Sequence, residues 1–223
     1  PKNQEFSAVD MGCGIGGTCL YLASEYPLAH VTGVNISKTQ LAVAGRLMTD
    51  NKVSERVRLV AQDYTHTDLP SNSMNHAFAV ESVWHASDKS AVFKEAFRLL
   101  KPEGVFAVID YFQTREVANE REATLLKDFN NGWGAYEDGT GPIKSYTYDF
   151  LSDLKKIGFA TSTFQSLVPL VMKGIENSNV KALKNLEAGV EAEDLRKHYM
   201  ACAALKILMD LGVVDYGIIE AQR

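Results

Sequence analysis

Cysteine, long apolar stretches and runs of basic residues are all scarce in this sequence. The 223 residues include three cysteines, Cys13, Cys19 and Cys202, an odd number without the spacing of a disulfide framework or a zinc site. We therefore predict a reducing, cytoplasmic location and no bound metal. No apolar stretch approaches the roughly 20 residues needed to cross a bilayer, and no basic and apolar leader precedes the first strand. The first predicted strand follows only a handful of residues, so we also expect an N-terminal cap to be missing from the sequence.

The charge pattern argues against a nucleic-acid partner. The net charge is −5 and the pI is about 5.6, and basic residues occur as pairs such as Lys155-Lys156. A phosphate backbone is bound by extended basic surfaces, which this sequence lacks. With 46% hydrophobic and 23% charged residues, the chain has the composition of one folded domain. We predict a single domain over 1–223, with a cofactor-binding half at 1–113 and a substrate half at 114–223.

Apolar segments alternate with amphipathic helices through the first half of the chain. Five short segments are predicted as strands: 6–11, 30–36, 57–61, 76–80 and 105–111. Strands that are apolar throughout and separated by helices are typical of a parallel sheet covered on both faces. Two further strands are predicted at 159–167 and 211–220. The sequence therefore predicts an α/β, Rossmann-like, doubly wound fold with a seven-stranded, mostly parallel sheet.

Between the last two predicted strands lies a long helical insertion at 173–209. It has an apolar stripe at helical spacing that includes Leu183, Leu186 and Leu205, and it is much longer than an ordinary connection between strands. We predict that it forms either a lid over the substrate or a contact between subunits. In the second case the protein would be a homo-oligomer.

Three glycines follow the first strand directly. Gly12, Gly14 and Gly16 allow a nucleoside ligand to approach the backbone, next to the N–H groups of the following helix. Gly12, Gly14 and Gly17 also match the G-x-G-x-x-G pattern of dinucleotide-binding proteins, so an NAD-dependent oxidoreductase is one alternative.

Acidic residues favour a different nucleoside. Asp10, at the end of the first strand, would repel a pyrophosphate but attract a cationic amino-acid group. Asp63 and Tyr64 follow the third strand, where a carboxylate can accept a hydrogen bond from an adenine amino group and a ring can pack on the base. A nucleoside with a positively charged tail, such as S-adenosylmethionine, fits this pattern better than NAD.

Several motifs resemble those of class I S-adenosylmethionine-dependent methyltransferases. They are the stretch 9–17 (VDMGCGIGG), the pair Gln62-Asp63 and the stretch 99–104 (LLKPEG). The segments 34–37 (VNIS) with Gln40, and 80–86 (VESVWHA), are similar to the sterol, tocopherol and prenyl-diphosphate methyltransferase branch. The resemblance covers most of the chain. It implies a set of donor-binding residues: Asp10, Gly12, Gly14, Gly16, Asn35, Ile36, Gln40, Gln62, Asp63, Tyr64 and Glu81.

Glu81 and His85 are the candidate catalytic residues. They follow the fourth strand at the carboxyl edge of the sheet, where open α/β folds bind ligands. If a helical turn begins at Glu81, the two side chains lie on one face. A neutral histidine can accept a proton and a carboxylate can stabilise a developing cation. A structural role for His85, as a helix cap or a buried hydrogen-bonding group, is the alternative.

Aromatic residues near the predicted strand ends are candidates for binding the methyl acceptor: Trp84, Tyr111, Trp133 and Tyr146. Aromatic faces suit apolar molecules and can stabilise a carbocation. We therefore predict C-methylation of a small prenyl, terpenoid or sterol-like alkene.

The alternatives are N- or O-methylation of an amine or phenol, and a nucleoside-binding domain without activity. If the acceptor bears a diphosphate, Arg115, Lys144 or Arg196 could hold it, with Mg²⁺ as a helper.

Overall fold

The computed structural model describes residues 3–133 and 147–223, and the side chains of all of these except 147–149. The strands are β1 (Phe6–Met11), β2 (Ala29–Asn35), β3 (Val57–Ala61), β4 (Met74–Val80), β5 (Leu100–Gln113), β6 (Thr161–Ser166) and β7 (Val214–Gln222). The helices are α1 (Gly17–Glu25), α2 (Lys38–Asp50), α3 (Lys89–Leu99), α4 (Glu120–Gly132), α5 (Thr147–Ile157), α6 (Val168–Ala188) and α7 (Glu193–Asp210).

Local sequence signals explain where several helices begin. Ser37 accepts a hydrogen bond from the backbone N–H of Gln40 and caps α2. Asp88 and Asn119 cap α3 and α4 in the same way. Each cap satisfies an N–H group that has no partner within the helix. Polar caps after apolar strands therefore set the alternation of strand and helix.

The strands form one seven-stranded sheet in the order β3-β2-β1-β4-β5-β7-β6. The pairs β1–β2, β1–β4, β2–β3 and β4–β5 are parallel. Glu103 N donates to Arg223 O, whereas Thr114 N donates to Val213 O. Because the partner number falls as the β5 number rises, β7 runs antiparallel to β5. The prediction of a seven-stranded, mostly parallel Rossmann-like sheet is confirmed.

Two compact units make up the chain. The first comprises the described residues of Pro1–Ile109, Leu151–Thr163 and Ile219–Arg223, and the second those of Asp110–Phe150 and Phe164–Ile218. The predicted division at residue 113 stays a prediction, as does the single domain.

In the first unit, helices pack on both faces of the sheet, as predicted. Cys19 and Ala23 of α1 and Met48 of α2 form an apolar core with Val31 of β2. On the opposite face, Phe93 of α3 meets Phe106 of β5 edge to face, with ring centroids 6.0 Å apart. Beside α1, the sheet bears a groove of about 680 Å³ whose walls include Phe6, Phe78 and Ala107. The face of β4 and β5 next to α1 is thus only partly covered.

The second unit is built around helices α4, α6 and α7. Phe129 of α4 and Leu205 and Leu208 of α7 are buried in its core. The helical insertion predicted at 173–209 begins earlier, at Val168, and is divided into α6 and α7, with Gly189 at the end of α6 in a positive-φ conformation (φ 78°). Within the described ranges, no helix is both long enough and apolar enough to cross a membrane.

Candidate functional site

The glycine loop after β1 passes close to the start of the chain segment after β4. The N–H groups of Gly12 and Cys13 both donate to Val34 O, at 2.9 and 3.0 Å. At Gly12, φ is 98° and a Cβ would lie 2.5 Å from Ser82 Cβ, so only glycine fits there. At Gly14, φ is 53° and a Cβ would have no neighbour within 4 Å. The loop therefore packs tightly at Gly12 and has open space at Gly14.

Asp10 is a buried acid at the end of β1. Its side chain is 2% exposed, and Oδ2 accepts a hydrogen bond from the Cys19 thiol at 3.4 Å. Burial raises the pKa of Asp10 to about 7, and the Cys19 hydrogen bond only partly offsets this. Among the ion pairs of residues 3–133 and 147–223, none involves Asp10. A ligand ammonium group is a counter-ion that would favour the ionised carboxyl.

Asn35, at the end of β2, connects the glycine loop to α2. Its Nδ2 donates to Gly14 O at 3.2 Å and to Gln40 Oε1 at 2.8 Å, and its Oδ1 accepts from Ser37 N. Asn35 and Gln40 therefore hold the loop in place as well as being candidates for ligand contact. Ile36, the next residue, is 71% exposed, which leaves an apolar surface available for a base.

The loop after β3 places Asp63 and Tyr64. Asp63 Oδ1 accepts from the backbone and the hydroxyl of Thr65, both at 2.8 Å. The Gln62 amide donates to Asp68 Oδ2 at 2.6 Å and accepts from Asp68 N. Gln62 therefore stabilises the loop, whereas the Asp63 side chain is exposed and its carboxylate is accessible to a ligand.

An ion pair between the buried Glu95 and the half-buried Arg98 anchors the far end of this loop, and sequence reasoning missed it. Glu95 Oε1 accepts from Thr67 N and Thr67 Oγ1, and Arg98 donates to both Glu95 oxygens. Burial alone would raise the pKa of Glu95, but the hydrogen bonds from Arg98 and Thr67 outweigh it and the pKa is lowered. An acidic residue on the apolar face of α3, three positions before an arginine, was the available signal.

Ser82 is a second residue that sequence reasoning missed. It is 5% exposed, and its hydroxyl donates to Met11 O at 2.6 Å. The Tyr64 hydroxyl donates to Ser82 O at 2.7 Å. Ser82 therefore joins the ends of β1 and β4 to the loop after β3. No motif signals this role, because it depends on contacts between residues far apart in the sequence.

Glu81 and His85 do not share a helical turn, contrary to the expected geometry. The 3-10 turn comprises only Val83–His85, and Glu81 precedes it with φ at 48°. A left-handed backbone at a glutamate is uncommon and is found at functional sites. Glu81 N donates to Ile109 O at 2.8 Å, which ties this residue to β5. The spacing of four residues therefore does not place the two side chains on one helix face.

His85 is suited to accept a proton. Its ring lies 4.2 Å from the Trp84 ring, centroid to centroid. Partial desolvation of the ring lowers the pKa of His85, and the positive charge of Lys89 lowers it further. The imidazole is consequently neutral at pH 7.

The candidate acceptor residues fall into three groups. The Trp84 ring packs against His85 at an interplanar angle of 46°, and its indole N–H donates to Glu81 O at 3.0 Å. Tyr111 and Trp133 lie in the second unit, where both line one cavity. Tyr146 lies outside the described residues.

Arg115, predicted as a possible diphosphate contact, has a different role in the structure. Its guanidinium pairs with both carboxylate oxygens of Glu122, at 2.8 and 3.1 Å, and with Leu211 O. The Arg115 hydrogen bond lowers the pKa of Glu122 to about 2. Arg115 is thus committed to a structural ion pair, Arg196 is exposed on α7, and Lys144 lies outside the described residues. Within the described part of the chain, no cluster of three or more His, Cys, Asp or Glu side chains could hold a metal.

Part of the sequence is similar to known proteins. Residues 9–108 match the family model described as "Methyltransferase domain". Sterol 24-C-methyltransferase ERG6B of Gibberella zeae is 34% identical over 154 residues, which cover 68% of this chain and 38% of that protein.

Solved structures show the same fold over nearly the whole chain. Haemonchus contortus phosphoethanolamine N-methyltransferase 2 with S-adenosyl-L-methionine has a TM-score of 0.79 and 19% identity, covering 100% of this chain and 50% of that one. Geranyl diphosphate C-methyltransferase from Streptomyces coelicolor, solved with Mg²⁺, geranyl diphosphate and S-adenosyl-L-homocysteine, has a TM-score of 0.77 and 18% identity, covering 99% and 73%.

The matched segment is similar to a methyltransferase domain, and the chain resembles the class I methyltransferases, which use S-adenosylmethionine. Several sterol 24-C-methyltransferases are among its curated relatives, which confirms the predicted resemblance to that branch. The chain spans between 29% and 40% of the length of these relatives.

Proposed function

We propose that this protein transfers a methyl group from S-adenosylmethionine to an alkene carbon of a small, largely apolar acceptor. Asp10 supports the donor most directly, because it is a buried carboxyl beside an open glycine loop and has no ion-pair partner among the described residues. The sterol 24-C-methyltransferases and the geranyl diphosphate enzyme, all named as C-methyltransferases, support the acceptor class.

The residues around the glycine loop fit the parts of the donor. Asp10 would pair with its ammonium group, and the backbone at Gly14 would lie against its amino-acid and ribose portion. Ile36 would pack on the adenine, and Asp63 would accept a hydrogen bond from the adenine amino group. When bound, S-adenosylmethionine supplies an electrophilic methyl group on a positively charged sulfur.

On the acceptor side, Glu81 and Trp84 would stabilise the positive charge that develops when an alkene carbon gains a methyl group. His85, which is neutral at pH 7, would accept the proton that the methylated acceptor then loses. Most of the rate acceleration would come from aligning the two substrates and excluding water from the site.

Product analysis tests this proposal. The protein is incubated with S-adenosylmethionine bearing a ¹³C-methyl group and with geranyl diphosphate, a Δ24-sterol, a primary amine or a phenol. We expect a new C-methyl resonance from one of the two alkenes. A methyl group found only on nitrogen or oxygen would favour the N- or O-methyltransferase alternative, and titration with S-adenosylhomocysteine that releases no heat would exclude the donor itself.

Two variants test the candidate catalytic residues. Glu81→Gln and His85→Asn should lose methyl transfer, and His66→Asn, an exposed histidine in the loop after β3, is the matched control. If both variants retained full activity, the catalytic assignment would be wrong although the donor site could stand.

A further inference from the structure

Two buried thiols lie close together between the glycine loop, α1 and β2. A Cβ at Gly33 of β2 would lie 2.9 Å from Cys13 Sγ and 3.1 Å from Cys19 Sγ. The two sulfur atoms are therefore separated by no more than the sum of these distances. Gly33 lies opposite Asp10 in the parallel pairing of β1 and β2. A glycine inside a strand allows other atoms to approach the backbone closely, and here it leaves room for both sulfurs.

Cys19 connects this pair of thiols to the buried acid at the end of β1. Its thiol donates a hydrogen bond to Asp10 Oδ2 at 3.4 Å. This hydrogen bond lowers the pKa of Asp10 and so opposes the effect of burial. The pKa of Cys19 is raised by the neighbouring Cys13 thiol, by burial and by the negative charge of Asp10. Cys19 consequently keeps its proton and remains a hydrogen-bond donor to Asp10.

The two thiols differ in their access to solvent. Cys13 is 8% exposed, whereas Cys19 is completely buried. Cys13 also precedes Gly14, where a Cβ would have no neighbour within 4 Å. A small polar reagent that enters through this open space meets Cys13 first, because access is one of the factors that select which cysteine reacts. Cys19 is then positioned to react with the modified Cys13.

We propose that Cys13 and Cys19 are a redox-sensitive pair that a hydroperoxide converts into a disulfide, and that this disulfide prevents tight binding of the methyl donor. The effect on the donor rests on the proposed function, but formation of the disulfide does not.

The oxidation takes place in two steps. The Cys13 sulfur attacks one peroxide oxygen, the O–O bond breaks, and the departing hydroxide takes the Cys13 proton and leaves as water. Cys13 is now a sulfenic acid. The Cys19 sulfur attacks the Cys13 sulfur, so that an S–S bond forms and the S–O bond breaks. Asp10 accepts the Cys19 proton and passes it to the departing hydroxide, which leaves as a second water. Together the two sulfurs lose the two electrons that the peroxide gains.

The disulfide changes the proposed donor site in two ways. The bond holds the two sulfurs at about 2.05 Å, which draws Cys13 towards α1 and displaces the loop that contains Gly12 and Gly14. Cys19 also loses the proton that it donated to Asp10. Without this hydrogen bond the pKa of Asp10 rises further, and a larger fraction of the carboxyl is protonated at pH 7. A ligand ammonium group then has a weaker counter-ion.

The mass of one peptide tests for the bond. The sequence has no lysine or arginine between residues 3 and 37, so trypsin leaves Cys13 and Cys19 in one peptide, 3–38. The variant Cys202→Ser removes the third cysteine. After treatment of this variant with hydrogen peroxide and alkylation of the remaining thiols, we expect peptide 3–38 to be unalkylated and lighter by two hydrogen atoms. Treatment with dithiothreitol before alkylation should restore two alkylated thiols.

Calorimetry with S-adenosylhomocysteine tests the effect on the donor site. In the Cys202→Ser protein, oxidation should weaken binding by about tenfold or more, through the altered contacts of Asp10, and dithiothreitol should reverse this. The matched control adds Cys13→Ser to Cys202→Ser. Its affinity should be the same before and after peroxide treatment, because Cys19 then has no partner sulfur in the sequence.

Three results would overturn the proposal: a peptide 3–38 that keeps both thiols or only gains oxygen, an oxidised protein that binds S-adenosylhomocysteine as tightly as the reduced protein, or an equal loss of affinity in the Cys13→Ser control. The same samples keep the two proposals distinct. A disulfide in a protein whose reduced form does not bind S-adenosylhomocysteine would contradict methyl transfer and leave the disulfide assignment intact. Binding by the reduced protein without a disulfide after oxidation would contradict only the thiol-pair proposal.

Discussion

At the scale of single residues, Asp10 is the group whose chemistry depends most on its surroundings. The unfolded chain loses this proton near the ordinary pKa of 3.8, whereas burial holds the folded pKa at about 7. Between these values the folded state retains a proton that the unfolded state has lost, so the free energy of unfolding falls as pH rises from about 4 to 7. Since one pKa unit corresponds to about 1.4 kcal/mol, the ionised carboxyl costs the ligand-free protein on the order of a few kcal/mol above pH 7.

We therefore expect Asp10→Asn to stabilise the ligand-free protein at pH 8 and to weaken S-adenosylhomocysteine binding by about 10- to 100-fold, through loss of a charge-assisted hydrogen bond. Urea unfolding and calorimetry measure the two effects. Asp50→Asn, on the exposed end of α2, should change neither. A variant that binds the ligand as tightly as the wild type would show that Asp10 does not hold its ammonium group.

A second residue-scale prediction concerns the pH dependence of turnover. The pKa of His85 is lowered from its usual 6.5, and the neutral ring is the form that accepts a proton. At saturating donor and acceptor, kcat should therefore remain constant down to a pH below 6.5 and then fall. His85→Asn should lower kcat by about 10²- to 10⁴-fold and remove this acid limb. The assignment fails if the variant keeps both the rate and the limb.

At the scale of elements, the glycine loop shows two different uses of glycine. Gly12→Ala combines an unfavourable φ with a Cβ 2.5 Å from Ser82 Cβ, whereas Gly14→Ala has only the unfavourable φ. The left-handed backbone costs about 1–2 kcal/mol in each case, and overpacking adds about 1–3 kcal/mol at Gly12. Urea unfolding of the two variants should show the larger loss for Gly12→Ala. Equal losses would mean that the loop moves to relieve the contact.

The elements themselves were largely predictable from the sequence, because caps such as Ser37 and the apolar strands give local signals. The start of the helical insertion was predicted five residues late, at 173. Pro169 is compatible with the first turn of a helix, but it does not contribute to the helical spacing of apolar residues on which the prediction was based. The backbone at Glu81 was not predictable either. Its left-handed φ depends on contacts with β5 that are distant in sequence.

The candidate site was predictable where it depends on motifs and not where it depends on packing. The glycine loop, Asp10 and Asp63 lie at the carboxyl ends of strands, as their positions indicated. Ser82, Cys19 and Glu95 were missed because each is defined by its partners, and Arg115 was assigned to a ligand although it pairs with Glu122. The roles of the predicted ligand-binding residues stay predictions.

At the scale of the whole molecule, ligand binding should raise the stability of the fold. A ligand at 100 times its Kd stabilises the native state by about 2.7 kcal/mol, which for a chain of this size raises Tm by roughly 5–11 °C. We expect this shift with S-adenosylhomocysteine and none with NADH, measured by differential scanning fluorimetry. The reverse pattern would favour the oxidoreductase alternative. Cytoplasmic location and homo-oligomerisation through the insertion stay predictions.

The hydrogen bonds of Ser82 with Tyr64 and Met11 have a consequence for the order of substrate binding. The hydroxyl of Tyr64, which lies beside the proposed adenine position, donates to Ser82 O. Ser82 follows Glu81 directly and is the N-cap residue of the 3-10 turn Val83–His85. A donor that packs on Tyr64 would therefore restrict Ser82 and the backbone next to the proposed catalytic residues. Initial-rate studies should show compulsory order, with the nucleoside entering before the hydrocarbon and leaving after the methylated product.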